Sequence, residues 1–156
     1  MEYEIIGNIK TLDSAEVLKQ ELEVLLNSLY SGKEEFESVL RTKVRSSFAD
    51  FIRRKISQED VRIDLFLKDF IKKLDSVPVV KLILAFEPSE ETVNRIYSYI
   101  VSACKREVFL DLGYSPDIIG GAIIIYRGKY KDLSFKYVFE REFEEEKKKI
   151  LEFMKI

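Results

Sequence analysis

The chain of 156 residues has no histidine, no tryptophan, a single cysteine, three prolines and six glycines. Without histidine, the usual general base at neutral pH and the commonest metal ligand are missing. Ser-His and Cys-His nucleophilic pairs go with it. One cysteine excludes an internal disulfide and fits a reducing compartment. Long apolar runs are missing as well: the longest, around residues 118–126, contains two glycines and is too short to cross a bilayer as a helix. Met1-Glu2-Tyr3-Glu4 offers neither the basic n-region nor the apolar core of a signal peptide. Neither sign of charge prevails, because 26 Lys and Arg face 28 Asp and Glu for a formal net charge of −2. That balance gives no general attraction to nucleic acid or an anionic membrane. The carboxylates show no convergent pair and no metal-ligand spacing. The expectation is a soluble cytosolic protein that is not an enzyme and needs no cofactor.

What is present is 46% apolar residues, enough to fill the core of one ordinary domain or two small ones. The pattern divides near Asp75-Ser76-Val77-Pro78. Residues 1–76 read as a helical domain of about three helices. Asp13 and Glu16 have capping-box spacing, and Leu18, Leu22, Leu25, Leu26 and Leu29 recur on one helical face up to Ser31-Gly32. A second helix is expected from Lys33 to Ile56, with Phe36, Leu40, Val44, Phe48, Phe51 and Ile52 inward. Ser57 is the expected N-cap of a third, carrying Ile63, Phe66, Leu67, Phe70, Ile71 and Leu74. Tyr3–Ile9 fits a short strand.

Residues 77–156 read as a small α+β domain of order β-α-β-β-β-α. Val80, Leu82, Leu84 and Phe86 alternate on a first strand. A helix from Pro88-Ser89 turns Val93, Ile96, Tyr97, Ile100, Val101 and Cys104 inward, with Cys104 read as packing rather than as a reactive thiol. Strands at Glu107–Leu112 and Ala122–Tyr126 follow. Gly128-Lys129 reads as a type II′ hairpin loop. Beyond it Leu133, Phe135, Tyr137 and Phe139 alternate with Asp132, Ser134 and Lys136, which predicts a strand to about Phe139 with one buried and one wet face. A charged helix closes the chain; its Phe139, Phe143, Ile150, Leu151 and Met154 are expected to pack on the domain's own sheet or to join a partner's helices. Glu144–Lys148 and Glu145–Lys149 have the spacing of exposed ion pairs.

The stretch from Pro116 to Lys136 carries the most specific pattern: Pro116, Ile118-Ile119, Gly120-Gly121, a strand ending at Gly128, then Asp132, Ser134 and Lys136. It resembles the C-terminal domain of the delta subunit of F-type ATP synthases, the oligomycin-sensitivity-conferring protein family, over residues 78–141. Leu133 stands where that family usually has glycine, and the first half is shorter than the family's six-helix bundle. The resemblance implies a stator subunit linking the catalytic head to the b-subunit stalk during proton-driven ATP synthesis. Its partners would be the alpha subunits and the b-subunit helices, and its place the inner face of the plasma membrane, held there through the complex. The glycines would then be structural, a sharp bend rather than a phosphate-binding loop.

Arg41, Lys43, Arg45, Arg53, Arg54 and Lys55 form a locally basic helix. A solvated surface is the ordinary reading, and a docking face for an acidic protein segment is the alternative, with Phe143 as a further docking candidate. Two other functions compete. One is an E-type stalk subunit of an archaeal or vacuolar ATPase. The other is a small nucleic-acid-binding protein presenting Phe109 and Tyr114 on an open sheet.

Overall fold

The computed structural model describes residues 7–57 and 61–154. Among these the fold is α+β, with six helices and a four-stranded mixed sheet. Two compact units divide the chain, Met1–Pro78 and Val79–Ile156.

The first unit contains α1 (Leu12–Ser31), α2 (Lys33–Thr42), α3 (Ser46–Ile56) and α4 (Ile63–Ser76). The cap of α1 is Thr11, whose Oγ1 accepts from the Ser14 amide at 3.3 Å, and not the Asp13–Glu16 pair. Asp13 lies instead in the first turn, where its charge suits the positive end of the helix dipole. Leu18, Leu22 and Leu25 are fully buried, and α1 packs against both α2 and α4. Gly32, at φ 119°, ends α1 and starts α2 in a backbone conformation that a side chain disfavours.

The helix expected over residues 33–56 is two helices. Lys43 closes α2 by donating its amide to the Val39 carbonyl, and Arg45 is extended at φ −56°, ψ 139°. Val44 stays buried, so the apolar rhythm runs through the break and conceals it. The break has a use: Arg45 Nε donates to Glu21 Oε1 at 2.9 Å and Oε2 at 3.1 Å, giving the buried Glu21 carboxylate a charged partner. Ser57 belongs to the end of α3, with its Oγ donating to the Arg54 carbonyl, and α4 begins at Ile63 after Arg62. Phe48, Phe51, Phe66 and Phe70 close a ring of aromatic contacts between α3 and α4, with centroids 5.9–6.0 Å apart. In the segment expected as an opening strand, residues 3–6 lie outside the described residues, and Gly7-Asn8 are helical.

The second unit runs β1 (Val79–Leu84), α5 (Glu90–Cys104), β2 (Phe109–Tyr114), β3 (Ala122–Tyr126), β4 (Lys129–Asp132), α6 (Phe135–Phe153). The sheet order is β2-β1-β3-β4. β1 and β2 are parallel, as a helical crossover requires, and the other pairs are antiparallel. Val80, Leu82, Leu84, Val108 and Leu110 form a core with Tyr97 and Ile100 of α5. The Tyr97 hydroxyl donates to Glu107 Oε2 at 2.8 Å; burial first, and that carboxylate second, raise its pKa above the usual phenol value.

Four local expectations are corrected here. Phe86 lies beyond β1 in a bend and is exposed; the last bond in register with the β1–β3 ladder is the Ala85 amide on the Gly121 carbonyl. Phe109 is buried, so it cannot offer a stacking platform for bases, although Tyr114 is exposed. The hairpin turns on Arg127 and Gly128, at φ 49° and 74°, the two positive values of a type I′ loop, and Lys129 already pairs with Tyr126. Finally, the strand expected to reach Phe139 stops at Asp132. Ser134, placed on the wet face, is buried, and Phe135, Tyr137 and Phe139, placed on the buried face, are exposed.

Candidate functional site

The Gly-Gly and Asp-x-Ser segments, separate in sequence, form one structure. Pro116 and Asp117 lie in a turn closed by the Ile118 amide donating to the Ser115 carbonyl. Gly120 and Gly121 follow at φ 63° and 78°. A Cβ on Gly120 would overlap the Phe135 ring, and one on Gly121 would overlap the Leu133 carbonyl. Positive φ and close approach both demand glycine here.

The other side of this contact is the start of α6. Asp132 Oδ1 accepts from the Ser134 amide at 2.8 Å, and Ser134 Oγ accepts from the Tyr137 amide at 3.3 Å. Asp132 and Ser134 thus form a turn and a helix cap, not part of a strand. The Ser134 side chain and amide hold the Asp132 carboxyl below the usual carboxylate range. The Phe135 amide reaches back to the Ile119 and Gly120 carbonyls, and the Leu133 amide to the Ala122 carbonyl. These carbonyls face the cap, and the glycines work as a bend. Ile118 is half-buried, Ile119 is exposed, and Lys136 lies in the first turn of α6, 4.0 Å from Glu140.

Beyond that root, no residue of α6 is buried. Phe139, Phe143, Ile150 and Met154 follow one another along one side, all exposed. The expectation that this helix packs on its own sheet is therefore corrected. In place of the expected Glu144–Lys148 and Glu145–Lys149 spacing, Lys147 pairs with Glu144 and Lys149 with Glu146, three residues apart, alongside the Lys136–Glu140 and Arg141–Glu142 pairs nearer the root. The hydrogen bond that Lys149 donates to Glu146 raises the Lys149 pKa.

Most of the basic candidates are engaged by local partners. Arg45 is committed to Glu21, Arg53 pairs with Asp50 at 3.0 Å, and Arg54 donates to the Asp50 carbonyl. Lys55 lies over the Phe66 ring, 5.6 Å from its centroid. Arg41 and Arg53 line a shallow groove with Lys33, Glu34 and Glu37, mixed in sign. What sequence reasoning missed is Thr11, Glu21 and the capping role of Ser134; for the last, Asp-x-Ser before a charged run was the available signal. Among the described residues no three His, Cys, Asp or Glu side chains are grouped to hold a metal ion, and no helix is long and apolar enough to cross a membrane. Comparison of the chain with protein-family models and with curated protein sequences finds no match.

Proposed function

We propose that the chain is a non-catalytic connector, a delta-type subunit of the peripheral stalk of an F-type ATP synthase, joining the catalytic head to the b-subunit helices. The observation that carries this reading is the interlocked Gly120-Gly121 bend and Asp132-x-Ser134 cap, set in a small mixed-sheet unit that follows a helical one. A glycine pair demanded by an approaching helix start is an architectural device, and it gives Gly120, Gly121, Asp132 and Ser134, four of the residues on which the resemblance rests, a structural role. The work is mechanical. A stator subunit holds the head against the torque of the rotating shaft, so its contacts must dissociate slowly under load. Nanomolar affinity, about −12 kcal/mol, suits that duty. No side chain has to change protonation for it. In this reading the protein lies peripherally on the inner face of the plasma membrane through the complex.

Calorimetry of the full chain against a peptide from the alpha subunit's N-terminus, and separately against the b subunit's C-terminal helix, tests the proposal. Submicromolar binding to either is the expected result. Absence of binding to both overturns it.

A further inference from the structure

We infer that α6 is a self-recognition element: two copies of the chain pair through it as antiparallel helices. The inference does not rest on the stator reading. Its starting point is a 19-residue helix with no buried residue, carrying Phe139, Phe143, Ile150 and Met154 on one exposed side. A second copy is the occupant that the charges select. The central run is Glu144-Glu145-Glu146-Lys147-Lys148-Lys149, three acids followed by three bases.

A two-fold axis between Glu146 and Lys147, perpendicular to the helix, turns that run into its own complement. Each Glu146 then lies level with Lys147 of the other copy, Glu145 with Lys148, and Glu144 with Lys149. The pattern continues outward. Phe143 comes level with Ile150, Arg141 with Glu152, and Phe139 with Met154. Apolar residues meet apolar ones along the stripe; at 100° per residue Lys147 lies beside Glu144 of the other copy on one flank and Lys149 beside its Glu142 and Glu146 on the other, while Glu145 and Lys148 lie on the far side of each helix.

A parallel pair would set the Glu144–Glu146 blocks side by side and the Lys147–Lys149 blocks likewise, and like-charge juxtaposition disfavours it. Lys149 and Lys147 already bond Glu146 and Glu144 within their own helix at 2.8 and 3.9 Å, so pairing exchanges exposed intrahelical partners for flanking interhelical ones. Glu146 sits within the apolar stripe at its centre, where a single polar residue fixes register at some loss of affinity. Such an interface is isologous, the same patch on both copies.

Sedimentation equilibrium of the full chain at low salt is the primary test. The expected result is a concentration-dependent dimer that dissociates as salt rises. K147E/K148E/K149E and E144K/E145K/E146K variants should each dimerise at least tenfold more weakly, and an equimolar mixture of the two should regain the dimer. Circular dichroism of each variant checks that α6 is retained. Orientation is read by cross-linking in a Cys104→Ala background: Phe143→Cys on one copy should join Ile150→Cys on the other in preference to a second Phe143→Cys. The inference is overturned by a monomer at all concentrations, by a dimer indifferent to both charge variants, by failure of the mixture to recover, or by predominant 143–143 cross-links. Binding to a b-subunit helix together with a strictly monomeric chain would overturn it and leave the stator reading intact.

Discussion

Helices α3 and α6 are built from the same materials and meet opposite fates. Each places phenylalanines on one side and clustered charge on the other. Phe48 and Phe51 are 4% and 3% exposed, whereas Phe139 and Phe143 are 67% and 72% exposed. The difference lies in what each helix finds nearby. α3 meets Phe66 and Phe70 of α4, and the four rings close on one another. α6 is held at its first turn by the glycine bend and the Ser134 cap, and none of its residues is buried. An amphipathic pattern states that a face wants covering; it does not state who covers it.

The sharpest way to break this comparison is to truncate one phenylalanine from each region. Phe70→Ala removes a fully buried ring with two aromatic partners and should lower the stability of the first unit by about 3–5 kcal/mol. Phe143→Ala, measured at a concentration where the chain is monomeric, should stay within about 0.5 kcal/mol of wild type. Denaturant midpoints at constant slope would show both, and equal losses would abolish the distinction. Next in size is Gly121→Val, which forces a β-branched residue to φ 78° against the Leu133 carbonyl. It should destabilise the second unit by at least about 1–3 kcal/mol. An unchanged midpoint would mean that the bend is not demanded by the helix root.

The smallest effect is expected from the cap. Ser134→Ala should cost about 1 kcal/mol, read as reduced helicity by circular dichroism together with a lowered midpoint. Acid should act at the same place. The Asp132 pKa is depressed in the folded state, so its contribution is complete above the ordinary carboxylate value and is lost as pH falls through the folded one. Asp132→Asn should flatten that acid limb, and a limb of unchanged steepness would show that other carboxylates produce it.

Much of this architecture is legible in the residues because each signal there has one reading. Pro78 cannot continue a helix, and period-two alternation from Val80 to Leu84 begins directly after it, so the change from helices to sheet is marked twice. The break between α2 and α3 escapes because Val44 keeps the apolar face continuous across it, and Arg45 shows its reason only when Glu21 comes beside it in space. The start of α6 escapes for a different cause. Leu133, Phe135, Tyr137 and Phe139 satisfy alternation, while Phe135, Phe139 and Phe143 equally satisfy a spacing of four. Periodicity cannot choose between the two; the short polar side chains of Asp132 and Ser134, which compete for backbone amides, can. The hairpin turns one position earlier than Gly128-Lys129, and this too escapes because glycine serves either turn type and Arg127 at positive φ has no sequence signature of its own.

The clamp at the root of α6 also dictates how that helix melts. An isolated helix must first fix a turn of backbone before any gain accrues, and that nucleus is improbable. Here the glycine bend and the Ser134 cap supply it: the Phe135 amide is held by the Ile119 and Gly120 carbonyls and the Tyr137 amide by Ser134 Oγ, whatever the rest of the helix is doing. Fraying therefore has one free end. Amide exchange in the monomer should slow towards Val138 and quicken steadily towards Phe153, a gradient along a single helix instead of the symmetric loosening of a free peptide.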